Sequence, residues 1–230
     1  WFRASYALLA FPAAGEWLGP LNGGPMDRPN VPDVVIQRLP LYLQSLVHIA
    51  ERGQEVVSSS ELGEWAGVSA AQIRKDLSYF GEFGKQGLGY EVQFLISQLR
   101  RILKSDRTWR VLIVGAGALG HALINYRTFE RWGFELVAVF DNAPHKIGTP
   151  IGHLLVQPME EMAATVRERH IEIAILAIPA PFTQQVAQQL VACGVRSLLN
   201  YAPINLVLPP DVRVAHIDPI ASLQSMTYYL

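Results

Sequence analysis

A glycine-rich segment in the second half of the chain has the spacing of a nucleotide-binding turn. The segment consists of Gly115, Ala116, Gly117, Ala118, Leu119 and Gly120. An apolar strand is predicted at residues 110–114 and a helix at 119–129, which gives the motif the strand–turn–helix context that it requires. Gly115 permits a tight turn, Gly117 lets the backbone approach a pyrophosphate, and Gly120 lets the helix pack on the strand. We therefore expect these six residues to bind the phosphates of a dinucleotide.

An acidic residue stands where such a site receives the adenosine ribose. A second strand is predicted at residues 134–140, and Asp141 follows it, 21 positions beyond Gly120. A carboxylate there accepts hydrogen bonds from both ribose hydroxyls and repels a 2′-phosphate, so NAD(H) is favoured over NADP(H). Lys146, the one cation close behind, is included in the expected site. Because Asp141 ends its strand, its replacement by Ala is expected to lower NADH affinity with little effect on the fold.

Two short helices in the first half of the chain are predicted to form a helix-turn-helix. Ser58 and Glu61 have the capping-box spacing that opens the first helix. Ser69 and Gln72 open the second helix in the same way, with Ser69 as N-cap and Gln72 reaching back to it. A glycine-containing turn of this length is typical of the helix-turn-helix arrangement. The motif is expected between about Leu41 and Phe80.

The second of these helices separates an apolar face from a polar one. At 100° per residue, Ile73, Leu77 and Phe80 gather on one side, which should pack on the other helices. The opposite side combines cations, a hydroxyl and a phenol on Arg74, Lys75, Ser78 and Tyr79. Such groups suit the major groove of DNA. A solvated helix face that happens to carry two cations is the alternative interpretation.

A glycine-dense loop at residues 81–90 follows directly and resembles the wing of a winged helix. Its tip can place Lys85 against phosphates or in the minor groove. Residues 31–104 carry eight Lys and Arg and eight Asp and Glu, so DNA binding depends on a few focused groups. A neutral module of this kind is a weak DNA binder, and we expect a dimer. The expected DNA-binding residues are Arg38, Ser69, Arg74, Lys75, Ser78, Tyr79, Lys85 and Gln86.

The remaining pattern predicts an α/β protein with an N-terminal winged-helix domain and a C-terminal Rossmann-like domain. A first helix should run from Asp33 to Gly53, with Pro40 marking a kink or a late start. Beyond the second strand, helix, strand and helix are expected at 159–169, 171–178 and 181–193, then strands at 197–200 and 212–217. This alternation predicts a doubly wound parallel sheet.

Composition excludes several classes of protein. Half of the 230 residues are hydrophobic and the formal charge is −1, so a packed core is expected and a polybasic protein is not. No apolar run approaches the length of a membrane span. The lone Cys193 excludes an intramolecular disulfide and suits a reducing cytosol, where we expect the protein to function. The histidines are isolated, which disfavours a metal site. No nucleophile is evident, which disfavours nucleophilic catalysis.

Several motifs, in order along the chain, resemble one known family. They are the segment from Arg74 to Gly81, the loop ending in Tyr90, the turn from Gly115 to Gly120, Phe140-Asp141, Lys146-Ile147-Gly148, and Asn200-Tyr201-Ala202-Pro203. Together, between residues 31 and 230, they are similar to the redox-sensing transcriptional repressor family Rex. The resemblance implies a homodimer that binds operator DNA when NADH is low and releases it when NADH binds.

The same resemblance implies further features of this chain. A final helix at residues 220–230 is exchanged between subunits, and Tyr126 and Asp218 change partners between ligand states. Two positions depart from some relatives: Gln44 and Ala118 stand where those relatives carry Arg.

The expected organisation has four parts, and the sequence leaves two alternatives to the repressor. Residues 1–30 form a disordered or added extension, 31–104 the winged helix, 105–218 the NAD(H)-binding domain and 219–230 the exchanged helix. An NAD-dependent oxidoreductase with a helical accessory domain is the first alternative, but the sequence leaves no separate substrate domain. A CoA-type nucleotide-binding module is the second, and the wing and Asp141 disfavour it.

Overall fold

The chain divides after Leu99 into two units in the computed structural model, which describes residues 31–85 and 87–230. The second unit begins at Arg100. The predicted extension of residues 1–30 and the predicted DNA contact Gln86 lie outside the described residues.

Four helices form most of the first unit: α1 (Asp33–Glu51), α2 (Ser59–Ala66), α3 (Ala70–Ser78) and α4 (Val92–Ile102). Helix α1 begins at Asp33 and continues through Pro40, so the late start suggested by that proline is wrong. The capping box of α2 is formed as predicted: Ser58 Oγ accepts from Glu61 N at 3.1 Å, and Glu61 Oε2 accepts from Ser58 N at 2.8 Å. The helices pack through fully buried side chains, among them Leu39, Leu46, Leu62, Ile73 and Leu95.

A small antiparallel sheet completes the winged helix. Its strands are β1 (Val56–Val57), β2 (Gly84–Lys85) and β3 (Gly89–Glu91), with β3 in the centre. A Cβ at residue 84 would lie 2.8 Å from the ring of Tyr90, so the wing needs glycine there. The predicted winged-helix architecture is confirmed.

A seven-stranded sheet organises the second unit. Its strands are β4 (Trp109–Val114), β5 (Phe134–Asp141), β6 (Pro150–Ile151), β7 (Leu154–Pro158), β8 (Ile173–Leu176), β9 (Ser197–Asn200) and β10 (Arg213–His216). They lie in the order β10-β9-β8-β4-β5-β7-β6, and all pairs are parallel except β6 with β7. The chain winds outward from β4 in both directions, which places a topological switch point at the carboxyl end of β4.

Helices cover both faces of this sheet. They are α5 (Ala118–Ile124), α6 (Thr128–Arg131), α7 (Met162–Glu168) and α8 (Ala180–Cys193), with a 3-10 turn at Met159–Glu161. A last helix, α9 (Pro219–Thr227), follows the sheet and has no buried residue. Along β4, Leu112 and Val114 belong to one core cluster and Val111 and Ile113 to the other. Buried side chains alternate between faces, as expected for a sheet covered on both sides, and the predicted doubly wound sheet is confirmed.

Two details differ from the predicted elements. The helix expected at residues 119–129 is divided into α5 and α6, because the Asn125 side chain donates from Nδ2 to His121 O and closes α5. Tyr126 therefore lies between two helices and not within one. The β6–β7 hairpin was not predicted, because β6 has only two residues and shows no periodicity of its own. Among the described helices, none is long and apolar enough to cross a membrane.

Candidate functional site

The glycine-rich turn follows the carboxyl end of β4, and two of its glycines lie directly against backbone carbonyl groups. Gly115 has φ +109°, and a Cβ there would overlap the carbonyl oxygen of Ala177. A Cβ on Gly120 would overlap the carbonyl oxygen of Gly115, so the first turn of α5 lies directly against the loop. The protein itself therefore requires glycine at both positions.

Gly117 differs from its two neighbours in the motif. Its φ of −91° is accessible to any residue, and a Cβ there would meet no heavy atom within 4 Å. Nothing in the described fold demands glycine at this position. Open space over bare backbone fits the close approach of a ligand group such as a pyrophosphate. Ala118 and Leu119, next in the motif, are exposed at the start of α5.

Asp141 ends β5 beside this turn and is more constrained than expected. Its side chain is buried, with Oδ2 accepting from Ala116 N at 2.8 Å and from Lys146 Nζ at 2.9 Å. Oδ1 accepts from Ala143 N at 2.9 Å. Burial raises the pKa of Asp141, but the Lys146 ammonium and the two N–H groups outweigh it and hold the pKa below its usual range. The expectation that Asp141 could be replaced with little effect on the fold is at odds with these contacts.

The recognition-type helix α3 presents its polar side to solvent. Arg74, Lys75 and Ser78 are exposed and Tyr79 is half-buried, whereas Ile73 and Leu77 are buried. The Arg74 guanidinium donates from Nη1 to Ser59 Oγ at 2.8 Å, which links α3 to the start of α2. The two cations and the hydroxyl therefore share one accessible surface.

Only one of the two hydrogen bonds predicted for the N-terminal cap of α3 is formed. Ser69 Oγ accepts from Gln72 N at 3.2 Å. The Gln72 side chain does not reach back to Ser69; its Nε2 donates to Asp76 Oδ1 at 2.7 Å. Asp76 is buried, and its charge attracts the amide away from the cap.

Arg38 was predicted to contact DNA, and the structure gives its guanidinium an internal partner. Nε and Nη2 of Arg38 donate to the two carboxylate oxygens of Asp76, at 2.6 and 2.8 Å. Sequence reasoning missed both Asp76 and Tyr42, whose hydroxyl donates to Asp76 Oδ2 at 2.6 Å. The sequence did indicate a buried Asp76, because this residue stands between the apolar Ile73 and Leu77 in the chain and lies near them on the buried side of α3.

Three further predicted residues lie in the wing and in the second unit. Lys85 lies in β2, whose backbone pairs with Gly89 of β3. Tyr126 is 57% exposed, with its ring edge-on to Phe129 at 5.7 Å. Asp218 caps α9, where Oδ1 accepts from the backbone N–H groups of Ile220 and Ala221. Within the part of the chain that the structure describes, no hydrogen bond joins Tyr126 to Asp218.

Comparison with known proteins assigns both halves of the chain. Residues 30–78 match the model described as putative DNA-binding protein N-terminus, and residues 106–204 match the CoA binding domain model. The redox-sensing transcriptional repressor Rex of Chloroflexus aggregans is 52% identical over 204 residues, which cover 89% of this chain and 95% of the relative.

Two solved structures agree with this assignment. RSP in complex with β-NAD+ and operator DNA is 39% identical with a TM-score of 0.82, covering 86% of this chain and 92% of that one. RSP in complex with β-NADH is 37% identical with a TM-score of 0.79, covering 87% and 94%. The resemblance read from the motifs is thereby confirmed. On the strength of identity sustained along nearly the full length of its relatives, this chain belongs to the Rex family of redox-sensing transcriptional repressors.

Proposed function

We propose that this chain represses transcription by binding operator DNA through α3 and the wing, and that NADH bound at the glycine-rich turn releases the DNA. The observation that carries the proposal is the presence, in one chain, of an exposed Arg74–Lys75 pair on a helix-turn-helix and an open glycine turn on a Rossmann sheet. The first can read base edges and phosphates, and the second can bind a dinucleotide. The protein is a regulator of the Rex family and not an enzyme.

At the nucleotide site, we assign each group the role that its surroundings support. The backbone at Gly117 faces open space and receives the pyrophosphate. Asp141 holds the turn through Ala116 N and has one acceptor site left for a ribose hydroxyl, and a second becomes available when Lys146 turns to a phosphate. Lys146 neutralises that carboxylate at 2.9 Å and stands ready to pair with a phosphate. When bound, the dinucleotide supplies a ring that is cationic as NAD+ and neutral as NADH, and the protein has only to distinguish the two.

At the DNA, Arg74 and Lys75 read base edges in the major groove, while Ser69, Ser78 and Tyr79 contact the backbone around them. Lys85 and Gln86 at the wing provide the phosphate or minor-groove contacts, and Arg38 remains a predicted phosphate contact. Asp76 already engages two nitrogens of that guanidinium, which weakens the case for Arg38 relative to the others.

The proposed repressor is a homodimer that exchanges α9 between subunits. No residue of α9 is buried within the described chain, and Ile220, Leu223 and Met226 are each more than half exposed. Three apolar side chains at helical spacing suit a second copy of the chain. The proposed domains are residues 31–104, 105–218 and 219–230. The protein is proposed to act in the cytoplasm, where its nucleotide and its DNA occur together.

Release of DNA needs NADH to favour one arrangement of the dimer strongly. Reversing a 99:1 balance requires about 10⁴-fold total preference. Two nucleotide sites share that preference at about 100-fold each, or about 2.7 kcal/mol per site. Tyr126 and Asp218 are the proposed polar pair that changes partners between the two arrangements.

The test is selection of bound duplexes from a random DNA pool by the full chain, repeated with NADH, with NAD+ and with coenzyme A. We expect one enriched sequence without ligand and with NAD+, and its loss with NADH. Equal release by NAD+ and NADH would contradict redox sensing, and release by coenzyme A alone would favour the CoA-type module.

A further inference from the structure

A carboxylate is buried inside the DNA-binding unit and is bound by four donors. Asp76 of α3 has no solvent exposure. Its Oδ2 accepts from Arg38 Nε and from the Tyr42 hydroxyl, both at 2.6 Å. Its Oδ1 accepts from Arg38 Nη2 at 2.8 Å and from Gln72 Nε2 at 2.7 Å. We call these four residues the Asp76 cluster.

The Asp76 cluster joins two helices by bonds that have direction. Arg38 and Tyr42 lie one turn apart on α1, and Gln72 and Asp76 lie one turn apart on α3. Apolar contacts such as those of Ile73 allow a helix to slide or roll with little change in buried area. A bidentate guanidinium–carboxylate pair allows much less movement, because its two parallel hydrogen bonds require coplanar groups. The cluster therefore fixes the rotation of α3 about its own axis relative to α1.

The charges of the cluster persist at neutral pH. Burial raises the pKa of Asp76, but the hydrogen bonds from Arg38, Tyr42 and Gln72 outweigh it and leave the pKa below its usual range. Burial and the bond to Asp76 raise the pKa of Tyr42 to about 12, so its hydroxyl remains a donor. The full set of hydrogen bonds is therefore available wherever the protein binds DNA.

Rotation of α3 matters because Arg74 and Lys75 lie on the same short helix as Asp76. A rotation of about 10° moves an atom about 6 Å from a helix axis by about 1 Å. That displacement is larger than the spread of hydrogen-bond lengths that a bidentate base contact tolerates. A small loss of rotational control would thus cost base recognition while leaving α3 helical.

We propose that Arg38, Tyr42 and Gln72 are positioning residues for DNA recognition, which hold Asp76 and so set the direction in which α3 presents Arg74 and Lys75. The proposal rests on the proposed function of α3 as the recognition helix. It gives Arg38 a role through Asp76 that does not require contact with the phosphate backbone.

The decisive variant is Tyr42→Phe. Removal of Arg38 would leave the buried Asp76 carboxylate without its charged partner and strongly destabilise the unit, whereas Phe fills the fully buried Tyr42 site and removes a single donor. Ile49→Val is the matched control, because Ile49 is a buried apolar residue two turns further along α1. Both variants should lower thermal stability modestly, by loss of a hydroxyl or of a methylene.

The measurement is the affinity of the full chain for its selected duplex and for a scrambled duplex, well below the unfolding temperature. We expect Tyr42→Phe to lose about threefold to tenfold in affinity for the selected duplex, because the bond it removes is charge-assisted. Its affinities for the scrambled duplex and for NADH should match those of the wild type. Ile49→Val should match the wild type in all three.

A double-mutant cycle with Arg74→Ala separates positioning from general destabilisation. If Tyr42 acts by aiming Arg74, the loss caused by Tyr42→Phe should largely disappear in the Arg74→Ala background. An undiminished loss in that background, a loss on the scrambled duplex, or wild-type affinity of Tyr42→Phe would overturn the inference. Unchanged binding by Arg74→Ala itself would instead overturn the assignment of α3 as the recognition helix.

Discussion

The backbone N–H of Ala116 donates to Asp141 Oδ2 at 2.8 Å, so the side chain that ends β5 also holds the glycine-rich turn that follows β4. These two strands are neighbours in the sheet, and the hydrogen bond joins their carboxyl ends. The residue expected at the ribose thus also positions the backbone expected at the phosphates. Both parts of the proposed nucleotide site therefore depend on a single carboxylate.

Replacement of that carboxylate by an amide should weaken NADH binding and also lower stability. Asp141→Asn keeps the shape but removes the charge that faces Lys146, and its NH₂ group must face a donor. Calorimetry should show reduced NADH affinity, and thermal unfolding a lower midpoint. Lys146→Met keeps the acceptors for Ala116 and Ala143 and removes only the lysine, so its NADH affinity shows how much of the loss comes from the ion pair and from Lys146 itself. Wild-type NADH affinity in Asp141→Asn would mean that Asp141 is structural only.

The depressed pKa of Asp141 predicts how this stability depends on pH. The ionised carboxylate stabilises the folded state above its unfolded pKa of about 3.9, and this contribution is lost as pH falls through the lower folded pKa. The difference in unfolding midpoint between wild type and Asp141→Asn should therefore be constant from about pH 6 to 8 and should narrow below about pH 4. A constant difference down to pH 3 would contradict the assigned protonation.

Two glycines of the turn should respond differently to Ala. Gly117→Ala adds a methyl group to open space at a permissive φ, so the protein should remain as stable as the wild type while its NADH affinity falls. Gly120→Ala places a methyl group against the carbonyl of Gly115 and should lower the unfolding midpoint even without ligand. Thermal scans with and without NADH distinguish the two. Full NADH affinity in Gly117→Ala would place the phosphates elsewhere.

Loss of a recognition side chain should weaken DNA binding and spare nucleotide binding. Arg74→Ala should cost about 1–3 kcal/mol if Arg74 contacts a guanine bidentately, and Lys75→Ala should lower operator affinity as well. Arg52→Ala is the matched control, since it removes the same charge from a residue that stacks on Trp65 of α2. Gel shifts at one fixed salt concentration give the comparison. Equal losses of operator affinity in all three variants would indicate a general effect of charge and not recognition of bases.

The switch can be tested at the cap of α9. Asp218→Ala removes both the carboxylate and the N-cap, which costs about 1 kcal/mol of helix stability. Asp218→Ser keeps a capping oxygen and removes only the charge. If the charge operates the switch, both variants should bind NADH yet release DNA poorly during an NADH titration. Normal release by Asp218→Ser would limit Asp218 to its role as a cap.

Sequence patterns predicted the parts of this protein that follow local rules. The glycine motif, the Ser58 capping box and the alternation of strands and helices each depend on residues close in the chain, and each occurs where it was expected. Asp141 was predicted at its strand end by spacing alone. Its three internal hydrogen bonds were not, because two depend on how the loop of residues 142–146 folds back and the third on the turn that follows the neighbouring strand β4.

Hydrogen bonds between residues far apart in the chain could not be predicted from local sequence patterns. Arg38 and Asp76 are 38 positions apart. Helical periodicity separates the apolar side of α3 from its polar side, but it does not show that an acid will be buried against α1. The break follows Asn125, whose side chain and backbone N–H both donate to His121 O at the last turn of α5. Either α-helix or turn was compatible with the local sequence there.

The exposed apolar face of α9 affects how much active repressor a cell obtains from a given rate of synthesis. In the proposed homodimer, each new chain carries Ile220, Leu223 and Met226 uncovered until a second copy arrives. The rate of pairing depends on the square of chain concentration, and chains that wait are exposed to chaperones and proteases. Active repressor should therefore fall more steeply than gene dosage, so that halving expression removes more than half of the active dimer.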